Sequence, residues 1–295
     1  ISPISSFIGS LFYSINPVTV SAFNGGGIGQ MMTFAIFPLI ITYFYKLLTE
    51  EKLILKNISI LGLLSLFIWN IYVAFWYTIF VVPIFFLTAI VNKKRNIKIL
   101  LRIISFFILL LLIFLPSLIL FLILGKNMST STLNIESYAK YTYSDASIIY
   151  TIRLAGNKGS PQVSLGYNTF NNYTFIGQIL SLIAILSLIL IKKNDDRDIH
   201  TCLVLFSFLS FLIIVGLMYL IKYNSWIVNL NPVFSSLRNP EKLMYPLTFL
   251  FVILFSFSIT SILKIVEKKA SFLKIIVIIA LFSMILLYNY PALDG

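Results

Sequence analysis

Long apolar runs separated by short polar and basic clusters organise this chain of 295 residues. Ile28 to Leu48 is apolar apart from isolated polar positions, long enough for one helix to cross a hydrocarbon core of about 30 Å. Its interior proline, Pro38, is compatible with a membrane helix because a neighbouring helix can satisfy the carbonyl that proline leaves without a donor. Ile58 to Val91 is apolar over a stretch that would rise about 51 Å as one helix. That excess predicts two short passes folded near Trp69-Asn70. Further spans are predicted over Ile103–Leu124, where Pro116 marks a kink, and over Phe175–Ile191, Thr201–Ile221, Pro246–Leu263 and Ile275–Tyr290. Residues 1 to 27 are broken by Pro3, Gly9, Pro17 and Asn24-Gly25-Gly26-Gly27, so only a partial or interfacial helix from about Ile4 to Ile15 is expected there.

The basic residues fix which connections share a side. Lys46, Lys52 and Lys56 surround the first charged connection, Thr49 to Asn57, and Lys93, Lys94, Arg95, Lys98 and Arg102 follow the overlong run. Lys192, Lys193 and Arg197 fill the third cluster, and Lys264, Lys268, Lys269 and Lys274 the fourth. These four connections hold 15 of the 22 Lys and Arg, which places them in the cytoplasm by the positive-inside rule. The overlong run must then cross an even number of times, hence the hairpin and a total of eight spans. Two long polar segments, 125–174 and 222–245, fall on the extracytoplasmic side. The fold expected is all-α, a single polytopic transmembrane helix bundle over residues 1–295, with 125–174 as an external loop or lid.

Composition agrees. The chain is 59% hydrophobic and 11% charged, with a mean hydropathy of +0.97, whereas a soluble domain carries about a quarter charged residues. A net charge of +12 raises nucleic acid as a partner, but the basic residues sit in clusters between apolar runs rather than along one face. The partner implied is the lipid bilayer of the plasma membrane, and no nucleic acid. One cysteine, Cys202, excludes an internal disulfide, and one histidine, His200, excludes an ordinary His/Cys metal cage. No cofactor is called for; a divalent cation stays open, although no ligand spacing supports one. The chain begins at Ile1 without an initiator methionine and reads as a segment of a longer protein.

The external segments carry the candidate chemistry. Segment 125–174 holds Tyr138, Tyr141, Tyr143 and Tyr167 among Ser, Thr and Asn. Such rings cover the apolar faces of sugars while polar tips bond hydroxyls, and they equally form an aromatic belt at the membrane interface. Glu136 and Asp145 are its two acids and the only local candidates for a base. Acceptor patterns for N-glycosylation occur at Asn127 and Asn172, and a third, at Asn57, falls on the cytoplasmic side and marks the chance rate. The glycine run before Ile28 lacks a P-loop Lys-Ser/Thr, leaving either free amides at a helix start or a flexible turn.

Segment 222–245 contains Asn231-Pro232-Val233-Phe234-Ser235-Ser236-Leu237-Arg238-Asn239-Pro240-Glu241-Lys242. Pro240 suits the first turn of a helix and Asn239 its cap, which sets Arg238 and Lys242 four apart beside free amides. A planar fork, a point charge and a helix N-terminus together suit a phosphate. The alternative is that both side chains snorkel to lipid headgroups.

Phe234 to Lys242 resembles, in expanded form, the F-R-x-P-x-K type of element in the multi-spanning glycosyltransferases of the GT-C superfamily, with YfhO-like bacterial membrane proteins and arabinofuranosyltransferase-like proteins as the nearest relatives. Ile15-Asn16-Pro17 followed by Phe37-Pro38-Leu39 is similar to the region after the first external loop of such proteins. The resemblance implies a polyprenyl-phosphate-linked sugar donor, a glycan or lipid acceptor, and inverting transfer on the outer face. It also implies a catalytic carboxylate upstream of Ile1, and donor phosphate binding by Arg238, Asn239 and Lys242. The inserted Ser235-Ser236-Leu237 departs from the pattern. Two other classes remain beside it: a transporter or flippase for a lipid or solute, and a non-catalytic scaffold for external domains. Ionisable residues at mid-span, which a transporter favours, are sparse.

Overall fold

The computed structural model describes residues 2–16, 18–19, 28–50, 54–68, 71–92, 174–190, 197–223 and 241–293, with isolated positions between 101 and 108. Among them every regular element is a helix: α1 (Pro3–Ile15), α2 (Ile28–Thr49), α3 (Ile54–Ser65), α4 (Ile71–Phe80), α5 (Val82–Asn92), α6 (Thr174–Ile185), α7 (Ser187–Leu190), α8 (Arg197–Tyr223), α9 (Glu241–Lys269) and α10 (Ser271–Leu293). Three segments are long and apolar enough to cross a membrane: Ile28–Thr49, Leu243–Lys269 and Ser271–Asn289. The chain is therefore an all-helical membrane protein in its described part. The expected span 103–124, apart from Ile104, Ser105 and Ile108, and the loop 125–173 lie outside the described residues.

Helix α9 is the axis of the bundle. It packs against α1, α4, α6, α7, α8 and α10, while α2 gathers α3, α4 and α5 around a second centre. The reason lies in which faces are apolar. Besides the stripe Leu243, Leu247, Leu250, Leu254 and Phe255, α9 buries Met244, Tyr245, Thr248, Ser256 and Thr260 on its other faces, as expected of a helix enclosed by others. Helix α10 instead buries Leu281, Ile285 and Tyr288 and exposes Phe272, Ile275, Ile276 and Ile279. An exposed row of that kind is stable against lipid and costly against water.

Short contacts between backbones fix the helix pairs. Helix α1 starts at the Ser2 cap, whose hydroxyl accepts the Ser5 amide at 3.2 Å, with Pro3 in the first turn. Its buried face, Ser5, Ile8, Gly9 and Phe12, lies on α9. A Cβ at Gly9 would run into Ser256, so the absent side chain is what lets the backbones approach. Phe12 then stacks on Phe251 with ring centroids 5.3 Å apart. The expected partial helix at the N-terminus is present, and it is seated on the central helix through one face. Gly177 of α6 repeats the device against the Tyr288 ring of α10, where an added Cβ would lie 2.6 Å from a ring carbon.

Breaks and ends differ from the hydropathy reading in a consistent direction. Helix α3 ends at Ser65, residues 66–68 turn, and α4 begins at Ile71, so the overlong run does break beside Trp69-Asn70. A second break follows at Val81, where Pro83 removes the amide that would serve the Ile79 carbonyl. The connection placed over Lys264–Lys274 shrinks to Ala270, whose amide donates to the Val266 carbonyl at 3.0 Å, and Lys274 meets Glu267 across the corner at 2.8 Å. The external loop placed at 222–245 loses its last five residues to α9, and its first two, Lys222 and Tyr223, to the end of α8. Ile54–Asn57, assigned to a cytoplasmic connection, are helical, and Asn57 is buried. A hydropathy boundary stops at the first charge, whereas helical hydrogen bonding continues through it.

Candidate functional site

One group of mutually hydrogen-bonded polar atoms among the described residues links the end of α1 to α2, α4 and α9. Asn16 closes α1 and is fully buried. Its Nδ2 donates to the Tyr13 carbonyl at 2.6 Å and to Thr19 Oγ1 at 2.9 Å, and its Oδ1 accepts the amides of Val18 and Thr19 at 3.0 and 3.2 Å. One side chain thus satisfies a helix C-terminus and starts the next turn, an Asx arrangement that suits this residue type.

Tyr13, one turn earlier, reaches across to α2. Its ring stacks on Phe34 with centroids 3.9 Å apart, and its hydroxyl donates to the Phe34 carbonyl at 2.7 Å. This is the carbonyl that Pro38, four residues on, leaves without an amide. The neighbour that the proline required is therefore Tyr13. Tyr77 of α4 stacks on Phe37 at 4.0 Å and brings its hydroxyl to 2.9 Å from that of Tyr13 and 3.1 Å from the Tyr245 carbonyl. Each phenol has one proton to donate, so two protons serve three contacts. The direction Tyr77 to Tyr13 to Phe34 leaves nothing orphaned, because the Tyr245 carbonyl lies inside α9, where the Phe249 amide serves it in regular helix geometry. Phe249 meets both rings edge-on, with centroids 6.0 Å away.

Tyr245 carries the network to the edge of the bundle. Its hydroxyl donates to Gln30 Oε1 at 2.8 Å. Gln30 is the third residue of α2 and Tyr245 the fifth of α9, so this bond joins the early described turns of two helices. Lys242 lies three residues before Tyr245 on α9.

The candidate residues named from the sequence divide accordingly. The backbone of Lys242 is placed on α9, three residues before Tyr245. Arg238 and Asn239 lie outside the described residues, as do Glu136, Asp145, Tyr138, Tyr141, Tyr143 and Tyr167. Among the described residues no group of three His, Cys, Asp or Glu gathers to hold a metal. Sequence reasoning did not single out Tyr13, Gln30, Tyr77 or Tyr245. The signal was available: a proline in a membrane helix names the carbonyl four residues before it as needing a donor, and a phenol on another helix is a suitable one. No protein-family model, curated protein or solved structure matches the chain.

Proposed function

We propose that this chain is the membrane part of a GT-C-like glycosyltransferase that moves a sugar from a polyprenyl-phosphate carrier to a glycan or lipid acceptor at the extracytoplasmic face of the plasma membrane. The observation that carries the reading is the hydrogen bond between Tyr245 and Gln30, which joins the early described turns of α9 and α2, with Lys242 three residues before Tyr245. In the reaction proposed, the bond between the anomeric carbon and the carrier phosphate breaks, and the acceptor oxygen bonds to that carbon from the opposite face. The acceptor proton passes to a carboxylate. The electron pair of the broken bond stays on the departing polyprenyl phosphate, whose growing charge Arg238, Lys242 and the helix amides neutralise. The motif resemblance over Phe234 to Lys242 and the eight-span layout expected from the sequence, with 125–174 and 222–245 expected outside, supply the rest of the reading. The base belongs to a carboxylate ahead of Ile1, with Glu136 and Asp145 the acids of the outer segment.

The test is transfer of a labelled sugar from polyprenyl-phosphate-linked donors in membranes that hold equal amounts of protein. Arg238→Ala is expected to abolish transfer while insertion and detergent stability stay unchanged. Transfer at the unmodified rate in that variant removes the proposal. Scrambling of the labelled lipid between leaflets without sugar transfer would favour the flippase reading instead.

A further inference from the structure

We propose that the corner where α9 turns into α10 seats an anionic phospholipid, whose headgroup meets Lys264, Lys268 and Lys269 and whose acyl chains lie along the exposed row of α10. The site stands apart from the proposed sugar transfer, at the opposite end of α9 from Tyr245. Leu243–Lys269 and Ser271–Asn289 are both long and apolar enough to cross a membrane, and Ala270 alone joins them. Two consecutive spans joined by one residue set their corner at a bilayer surface, with its side chains at headgroup level. On the pattern of basic clusters this end is expected to face the cytoplasm, where the leaflet is rich in anionic lipid.

The charge at the corner is left over after every local partner is served. Glu267 is the one acid between 264 and 274, and Lys274 meets it at 2.8 Å. Among the described residues no ion pair holds Lys264, Lys268 or Lys269, and all three are exposed. Lys264 and Lys268, four apart, share one face of α9, and Lys269 follows directly. The negative end of α9 draws part of their charge, but α10 starts at the same corner with the opposite sign and no acid in its first turn, so the two ends together offset little. The surroundings are apolar. Ile265 is exposed between the lysines, and Phe272, Ile275, Ile276 and Ile279 are exposed on α10, beginning beside the corner. A soluble anion would answer the lysines and leave the row bare, and a neutral lipid would cover the row and leave the charge. A lipid with an anionic head answers both. A second copy of this chain, oriented alike in the same membrane, would bring its own lysines to the same level and be repelled.

The experiment reconstitutes the full chain in vesicles of equal phosphatidylglycerol and phosphatidylcholine, with a photoreactive group on the acyl chain of one lipid at a time, and reads the labelled peptides by mass spectrometry. Labelling of residues 271–282 by phosphatidylglycerol is expected to exceed that by phosphatidylcholine by about fivefold or more, and the excess to shrink as salt rises. Changing Lys264, Lys268 and Lys269 together to Gln should bring the two lipids to parity, while changing them to Arg keeps the preference and so separates lost charge from altered folding. Glu267→Gln releases Lys274 from its partner and should raise the preference; a fall would overturn the inference. Should the glutamine variant fail to insert, the parent comparison and Glu267→Gln still decide. Equal labelling by both lipids in the parent, or a preference that survives the loss of all three lysines, overturns the inference. So does full displacement of the labelled lipid by glycerol phosphate, which carries the head without the chains, and so does protection of the row from both lipids, which would put a protein there instead.

Discussion

Replacing Tyr13 by Phe removes one oxygen and tests how the proline-containing helix α2 is held. The ring and its stack on Phe34 survive, so the change isolates the hydroxyl, which donates to the Phe34 carbonyl and accepts from Tyr77. Tyr77 still has the Tyr245 carbonyl at 3.1 Å as an acceptor and is not orphaned. The Phe34 carbonyl has no such recourse, because Pro38 supplies no amide. Leaving a buried carbonyl unsatisfied costs about 1–3 kcal/mol, whereas hydrogen bonds between membrane helices average about 0.6 kcal/mol because unfolded helices also find partners. Here the isolated α2 helix carries the same orphan, so the bond is gained in full on folding. We therefore expect about 1–2 kcal/mol for Tyr13→Phe, and about 0.5 kcal/mol or less for Tyr77→Phe, which strands no group. Unfolding in mixed detergent micelles, followed by tryptophan fluorescence, gives both values. The decisive comparison uses Pro38→Ala, which restores an amide to the Phe34 carbonyl. In that background Tyr13→Phe should cost about 1 kcal/mol less than in the parent. An equal cost in both backgrounds, or a larger effect from Tyr77→Phe, would refute the assignment of Tyr13 to the carbonyl freed by proline.

Two further outcomes follow from close packing and from capping. Gly177→Ala drives a methyl group to 2.6 Å from the Tyr288 ring and should destabilise the chain by about 1–3 kcal/mol; combined with Tyr288→Leu the total should be less than the sum of the two single losses in the same unfolding assay. Asn16→Ala strands the amides of Val18 and Thr19 in a fully buried position and should cost about 2–4 kcal/mol. Asn16→Asp keeps the acceptor for both amides and should fall between parent and alanine variant.

How far the fold was legible depended on whether the signal was local. The partial helix from about Ile4 to Ile15, the apolar length of α2 and the break beside Trp69-Asn70 all follow from short stretches of sequence, and all are present. Charge is a poorer guide to helix ends. Helix α9 continues six residues past Leu263 to Lys269 and begins at Glu241 rather than Pro246. Lysines in a last turn favour a helix end electrostatically and their long stems reach water from inside the membrane edge, so charge marks where the hydrocarbon stops and not where the helix stops. The break at Val81 was readable from Pro83 by the same logic that made Pro116 a kink. Pairings such as Tyr13 with Phe34 and Tyr245 with Gln30 were not legible, because they require knowing which helix faces which.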